Sequence, residues 1–218
     1  GDMVTENRVE RIALAKDTLR KKMTGWSNEA LEDHISTGYP NYWLVYDKET
    51  HLRHAEIVRK AKSQNRCLYI DSRMDDEFEY SEITVYAPDH PGLFSEIAGA
   101  IALSNVTIMD AKIATMSDGM VLDTFAFLDI NERAVTQPKK VQRLFCRIED
   151  TLAGQISLEK ELAIARRSNR KKREESFTVA SRVIINNQAS STDTVIEVNG
   201  RDRIGLLYDL TSALTRLG

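Results

Sequence analysis

The chain is poor in the residues that build rigid or reactive frameworks. Two cysteines in 218 residues, Cys67 and Cys146, are too few for a disulfide scaffold, so a reducing cytoplasm is the expected compartment. No apolar run approaches the roughly 20 residues that span a bilayer, and no signal peptide is legible, so no membrane partner is expected. Basic charge is not in surplus. Thirty Lys and Arg stand against 33 Asp and Glu, a net charge of -3, whereas nucleic-acid-binding domains usually carry a basic excess. The sequence contains no Gly-x-Gly-x-x-Gly, no Gly-Lys-Ser/Thr phosphate loop and no Gly-x-Ser-x-Gly elbow. It offers no catalytic constellation, and no cofactor or metal is expected.

What is present is a repeat. Residues 82–105 align with residues 195–218 at a constant offset, the separation of Asp89 from Asp202. Identities fall at Ile83/Ile196, Val85/Val198, Asp89/Asp202, Gly92/Gly205, Leu93/Leu206 and Ala100/Ala213. Ile83 and Val85 alternate as on a strand with one buried face. Leu93, Ile97, Ala100 and Ile101 recur at helical spacing, as do Leu206, Leu210, Ala213 and Leu214. Asp89 and Asp202 precede the helix, where a carboxylate caps free amides and meets the positive end of the dipole. Gly92 and Gly205 allow a tight turn that leaves those amides uncovered. A merely capped helix is the plain alternative for either copy.

The first copy extends further. Residues 106–116 are strand-like, Asp118-Gly119 is a hairpin turn signal, and residues 120–129 return with Val121, Phe125 and Phe127 on one face. Pro138 opens a helix with Val141, Leu144, Phe145, Ile148 and Leu152 inward. The order βαββα predicts an α+β, ferredoxin-like βαββαβ module once a last strand is added. Residues 182–186 either supply that strand or pair in a hairpin with residues 194–199.

The expected domains are a helical segment over 1–65, the first module over 66–153, a charged helical linker over 154–181 and a partial second module over 182–218. In the N-terminal segment, helices are predicted over 4–24 and 47–64. Tyr39-Pro40-Asn41-Tyr42-Trp43 reads as a packed connection, and residues 67–71 as an extra strand. His51 and His54, with Glu49 nearby, have a spacing that suits one metal ion, or are ordinary surface or partner-facing histidines. The basic run over 166–173 is either a nucleic-acid contact or a solvated linker. Thr124-Phe125-Ala126-Phe127 partly imitates an RNA-recognition strand, but Asp123 and Thr124 stand where a basic residue and Gly belong.

The segment Ile83-Thr84-Val85-Tyr86-Ala87-Pro88-Asp89-His90-Pro91-Gly92-Leu93-Phe94 resembles the opening of an ACT domain, a small amino-acid-sensing module. With Met109-Asp110-Ala111, Asp118-Gly119-Met120 and Leu122-Asp123-Thr124-Phe125, it resembles the first of two ACT domains that end bifunctional uridylyltransferase/uridylyl-removing enzymes. Residues 195–208 resemble the start of the second, and Tyr39–Trp43 with His54-Ala55 resemble the preceding segment. The resemblance is strong over 81–129 and 183–218 and thinner before 66.

It implies a non-catalytic regulatory piece that reports an amino acid, glutamine, to upstream nucleotidyltransferase and HD-type domains acting on the PII signal protein. The implied ligand site is Asp89, His90, Pro91, Gly92, Leu93 and Phe94, with Thr107 as side wall. Asp202, Arg203, Gly205 and Leu206 are the facing surface from the second copy. Gly1-Asp2-Met3 reads as the start of an internal fragment, and the second copy, with one strand and one helix, as truncated. Such a remnant is expected to dock on the first module or to form a homodimer through residues 194–218. The rival readings are an ACT module of another metabolic or stringent-response enzyme, and a ferredoxin-like protein- or RNA-binding module.

Overall fold

The computed structural model describes residues 2–75, 79–170, 182–186, 188, 195–199 and 203–217. It is an α+β molecule. Four helices, α1 (Asp2–Lys22), α2 (Asn28–Thr37), α3 (Pro40–Val45) and α4 (Lys48–Ser63), precede strands β1 (Tyr69–Asp75) and β2 (Tyr80–Pro88). Helix α5 (Leu93–Ala102), strands β3 (Val106–Lys112) and β4 (Met120–Asp129) and helix α6 (Pro138–Leu152) follow. Helix α7 (Leu158–Arg170), strands β5 (Arg182–Asn186) and β6 (Val195–Asn199) and helix α8 (Leu206–Leu217) complete the order.

Local chemistry sets the helix starts. Ser27 accepts the Ala30 amide and Asp47 that of Thr50, each satisfying an orphan donor of the first turn. The 39–43 segment, expected as a packed connection, is packed through the buried Tyr42 and Trp43, and from Pro40 it is helical. Pro40 occupies its first turn, where the missing N–H costs nothing.

Strands β1, β2, β4 and β3 form one antiparallel sheet in that spatial order, and β5 pairs with β6 in a separate hairpin. Residues 182–186 therefore pair with the second copy and do not enter the four-stranded sheet. The edge beside β2 belongs to β1, with Tyr69 opposite Tyr86 and Asp75 opposite Tyr80.

Period-two alternation gives the sheet two buried faces. Ile83, Val85, Val121, Phe125 and Phe127 meet Leu93, Ile97, Ile101, Leu144 and Ile148 of α5 and α6. On the reverse face, Tyr86 and Leu122 meet Leu19, Ile35, Tyr42, Trp43, Ala55, Ile57 and Val58 of the N-terminal helices. Arg53 of α4 clamps this layer to the sheet, bonding Asp71 of β1 (Nη2 to Oδ2 3.0 Å) and Glu82 of β2.

His51 and His54 lie inside this second core and not at the surface, because their positions on α4 point at the sheet. The His54 ring lies 3.2 Å from Tyr42 Oη through Nδ1 and 3.4 Å from Thr124 Oγ1 through Nε2.

Helix α8 packs on α5, and α7 packs beside it. A Cβ on Gly92 would lie 4.0 Å from Thr215, and one on Gly99 would lie 3.0 Å from Tyr208. Moving seven residues forward along α5 thus moves seven back along α8, so the two repeated helices run antiparallel. Among the described residues no helix is long and apolar enough to cross a membrane.

Candidate functional site

The first Asp-x-x-Gly-Leu turn links β2 to α5 at the end of the sheet. Gly92 caps the helix with φ +91°, a left-handed conformation that residues bearing a Cβ resist. Its carbonyl accepts the Glu96 amide at 2.9 Å and the Ser95 hydroxyl at 2.7 Å. The Leu93 amide donates back to His90 O at 3.1 Å. Phe94 and Ser95 carry the next two amides, and among the described residues neither has an acceptor. These are the orphan donors of a helix start, at its partly positive end.

The Asp89 amide donates to Gly119 O at 2.8 Å, which fastens the turn to the β3–β4 hairpin. The Asp89 side chain is exposed and does not cap the helix; the N-cap is Gly92, with no side-chain hydrogen bond. His90 and Pro91 are also exposed, with His90 Nε2 4.0 Å from Glu96. Leu93 is buried, and Phe94 stacks on Phe125 with ring centroids 5.0 Å apart.

A carboxylate that sequence reasoning did not single out lies in the same neighbourhood. Asp123 stands opposite Val85 on the α5 face of β4 and is 1% exposed. Its Oδ1 accepts the Ala114 amide at a long 3.4 Å. Burial pushes its pKa up to about 7, and the charge of Asp89 pushes the same way. The signal was available: one acidic residue among Val121, Leu122, Phe125 and Phe127.

The remaining expected residues do not converge on this turn. Thr107 pairs with Leu128, whereas the turn follows Pro88, which pairs with Met120. Eight residues of β4 separate these levels, roughly 27 Å at strand rise. Thr107 is no side wall of the site, because β3 runs from the far end of the sheet. The second turn is displaced as well. Because α8 runs antiparallel to α5, Gly205 lies beside α7, and it is the other end of α8, at Thr215, that approaches Gly92.

Arg166 of α7 holds the second turn. Its Nε donates to Ile204 O at 2.9 Å, and its Nη2 to Gly205 O at 3.3 Å and Asp209 at 2.9 Å. Arg203 also pairs with Asp209. Gly205 is buried with φ +73° and Leu206 is half-buried; Asp202 lies outside the described residues.

Among the described residues no three His, Cys, Asp or Glu side chains are grouped to hold a metal ion. The turn brings together two helix-terminal amides without an acceptor among the described residues, the exposed Asp89 carboxylate and, nearby on β4, the buried Asp123 carboxylate.

Three relatives align with nearly the whole chain. The bifunctional uridylyltransferase/uridylyl-removing enzyme of Rhodospirillum rubrum is 44% identical over 211 residues, 96% of this chain and 22% of the relative. That of Azospirillum brasilense is 43% identical over 218 residues, 100% of this chain and 23% of the relative. That of Gluconobacter oxydans is 40% identical over 216 residues, 99% of this chain and 23% of the relative. Over its whole length the chain is a homologue of one segment of bifunctional uridylyltransferase/uridylyl-removing enzymes. It spans under a quarter of the length of these curated relatives. No protein-family model matches the chain.

Proposed function

We propose that the chain is the regulatory end of a uridylyltransferase/uridylyl-removing enzyme, built on ferredoxin-like ACT modules, and that it senses glutamine. The observation that carries the reading is the repeated strand–turn–helix in a chain homologous to that enzyme over 96–100% of its length. The sheet order β1-β2-β4-β3 supports the module assignment. It has the edge position of a ferredoxin-like last strand, filled here by the preceding strand β1. Uridylyl transfer and removal on the PII protein belong to other parts of that enzyme, and this segment reports amino-acid level to them.

In this reading the ligand carboxylate takes the Phe94 and Ser95 amides at the start of α5. Asp89 faces its ammonium, with Asp123 as a second, buried counter-charge. Ligand binding shifts the balance between two arrangements of the enzyme by the difference in its affinity for each. Calorimetric titration of glutamine into the full-length enzyme tests it. Saturable heat that Asp89→Ala weakens about tenfold or more, the loss of one charged contact, is the expected outcome. No heat, or heat indifferent to Asp89→Ala, sinks the assignment.

Self-association belongs to the same proposal. Helix α8 is docked on α5, but Val183, Ile185, Ile196 and Val198 remain 38–65% exposed on one face of the β5–β6 hairpin. Concentration-dependent dimers are expected in light scattering; a monomer at high concentration removes this element.

A further inference from the structure

A cavity of about 320 Å³ opens at the end of the sheet remote from the Asp89 turn. Its accessible apolar lining is Leu103, Val106 and Ile130, backed by Phe127 and Leu144 of the α5/α6 core, which are 1% and 3% exposed. Its wall is basic. Lys140, Arg143 and Arg147 line it from α6, and their spacing of three and four places them on one helix face.

Among the described residues one acid, Asp129, lines the cavity, and it is already engaged. Its Oδ1 accepts the Asn131 and Arg133 amides at 2.8 and 3.2 Å, and its Oδ2 lies 3.9 Å from Lys140 Nζ. Arg143 and Arg147 have no acidic partner among the described residues. Arg147 is half-buried. Arg143 and Lys140 are exposed, so the basic wall is open to solvent and free to meet an anion. Arginines one helical turn apart on the same wall can both reach one carboxylate or phosphate, whose planar, bidentate geometry suits a guanidinium. The volume lies at the small end of ligand sites.

The geometry points to a second ligand site here, for a small amphipathic anion. Arg143 and Arg147 hold its carboxylate or phosphate, and Leu103, Val106 and Ile130 take its compact apolar body. The ordinary alternative is a solvated basic helix face, which would attract anions without regard to their apolar part. The apolar lining makes the two separable. The site shares no residue with the Asp89 turn, so its test is independent of the glutamine reading.

The test is a titration of phenyl phosphate, phenylacetate and inorganic phosphate into the chain, followed by amide chemical shifts. At least one phenyl compound is expected to give saturable shifts at residues 104–106 and 143–147. The tighter of the two identifies the preferred head group. Inorganic phosphate, with the charge but no apolar body, binds more weakly. Arg143→Gln and Arg147→Gln, on the helix surface, each weaken binding about tenfold, while Lys139→Gln, outside the lining, leaves it unchanged. Circular dichroism confirms that the variants fold. No saturable shift with either phenyl compound overturns the proposal. So do equal binding of inorganic phosphate, and binding insensitive to both arginine substitutions.

Discussion

His34, His51 and His54 sit between the N-terminal helices and the sheet, and burial disfavours the charged form of each. His34 is pushed down to about 4, His51 is lowered, and His54 falls well below the ordinary value. In the unfolded chain all three titrate near 6.5. Below that pH the unfolded state therefore binds more protons than the folded one, and stability falls as acid is added. For His34 alone the loss reaches about 3 kcal/mol by pH 4.

Asp123 acts in the opposite sense. With a folded pKa near 7 it keeps a proton that the unfolded carboxylate has lost, so it lowers stability as pH rises from about 4 to 7. Three histidines outweigh one aspartate. The urea midpoint is expected to fall between pH 7 and pH 5, and His34→Leu is expected to flatten that fall. Asp123→Asn is expected to raise the pH 7 midpoint, having no charge to bury. A midpoint that holds or rises on acidification contradicts the assignment of these buried groups.

At the scale of elements, α5 is the hub. It covers the sheet with one face and receives α6, α7 and α8 on others. Gly99 makes the last two contacts possible. A Cβ there would come within 2.8 Å of Leu158 and 3.0 Å of Tyr208. Both are side-chain atoms that can shift, so Gly99→Ala is expected to cost about 1 kcal/mol at most, and Gly99→Leu about 1–3 kcal/mol. Limited proteolysis of Gly99→Leu should cut near α7 and α8 while the four-stranded sheet resists. Uniform resistance contradicts the packing described.

Much of this layout was legible in the sequence, because periodicity records burial. The β2–α5 turn, the β4 apolar face and the α6 stripe follow directly from Val85, Phe125 and Leu144 at their spacings. Long-range choices were not legible. Whether Val183 and Ile185 joined the first sheet or the hairpin depended on which edge was free, and β1 had taken it. The sites of Thr107 and Gly205 failed for a similar reason. Proximity to the turn was set by strand direction and by the antiparallel pairing of α5 with α8, neither of which any local pattern encodes. Neither reading of His51 and His54, a metal pair or surface or partner-facing histidines, places them in a core, because polar residues usually lie outside; the His54 partners Tyr42 and Thr124 lie 12 and 70 residues away in the chain.

At the scale of the whole molecule, the sheet is a partition between two cores. One face belongs to helices that precede it and the other to the α5–α8 layer. The Asp89 turn lies at the margin of the second layer, fastened through Gly119 to one hairpin and adjacent to the end of α8. A ligand bound there, as proposed, would lie beside the joint between the two repeats, where Thr215 of α8 approaches Gly92. The most direct measurement is hydrogen exchange of the full-length protein with and without glutamine. The prediction is slowed exchange centred on the Phe94 and Ser95 amides, with the effect abolished in Asp89→Ala. Unchanged exchange at those two amides under saturating glutamine would contradict a glutamine site at this turn.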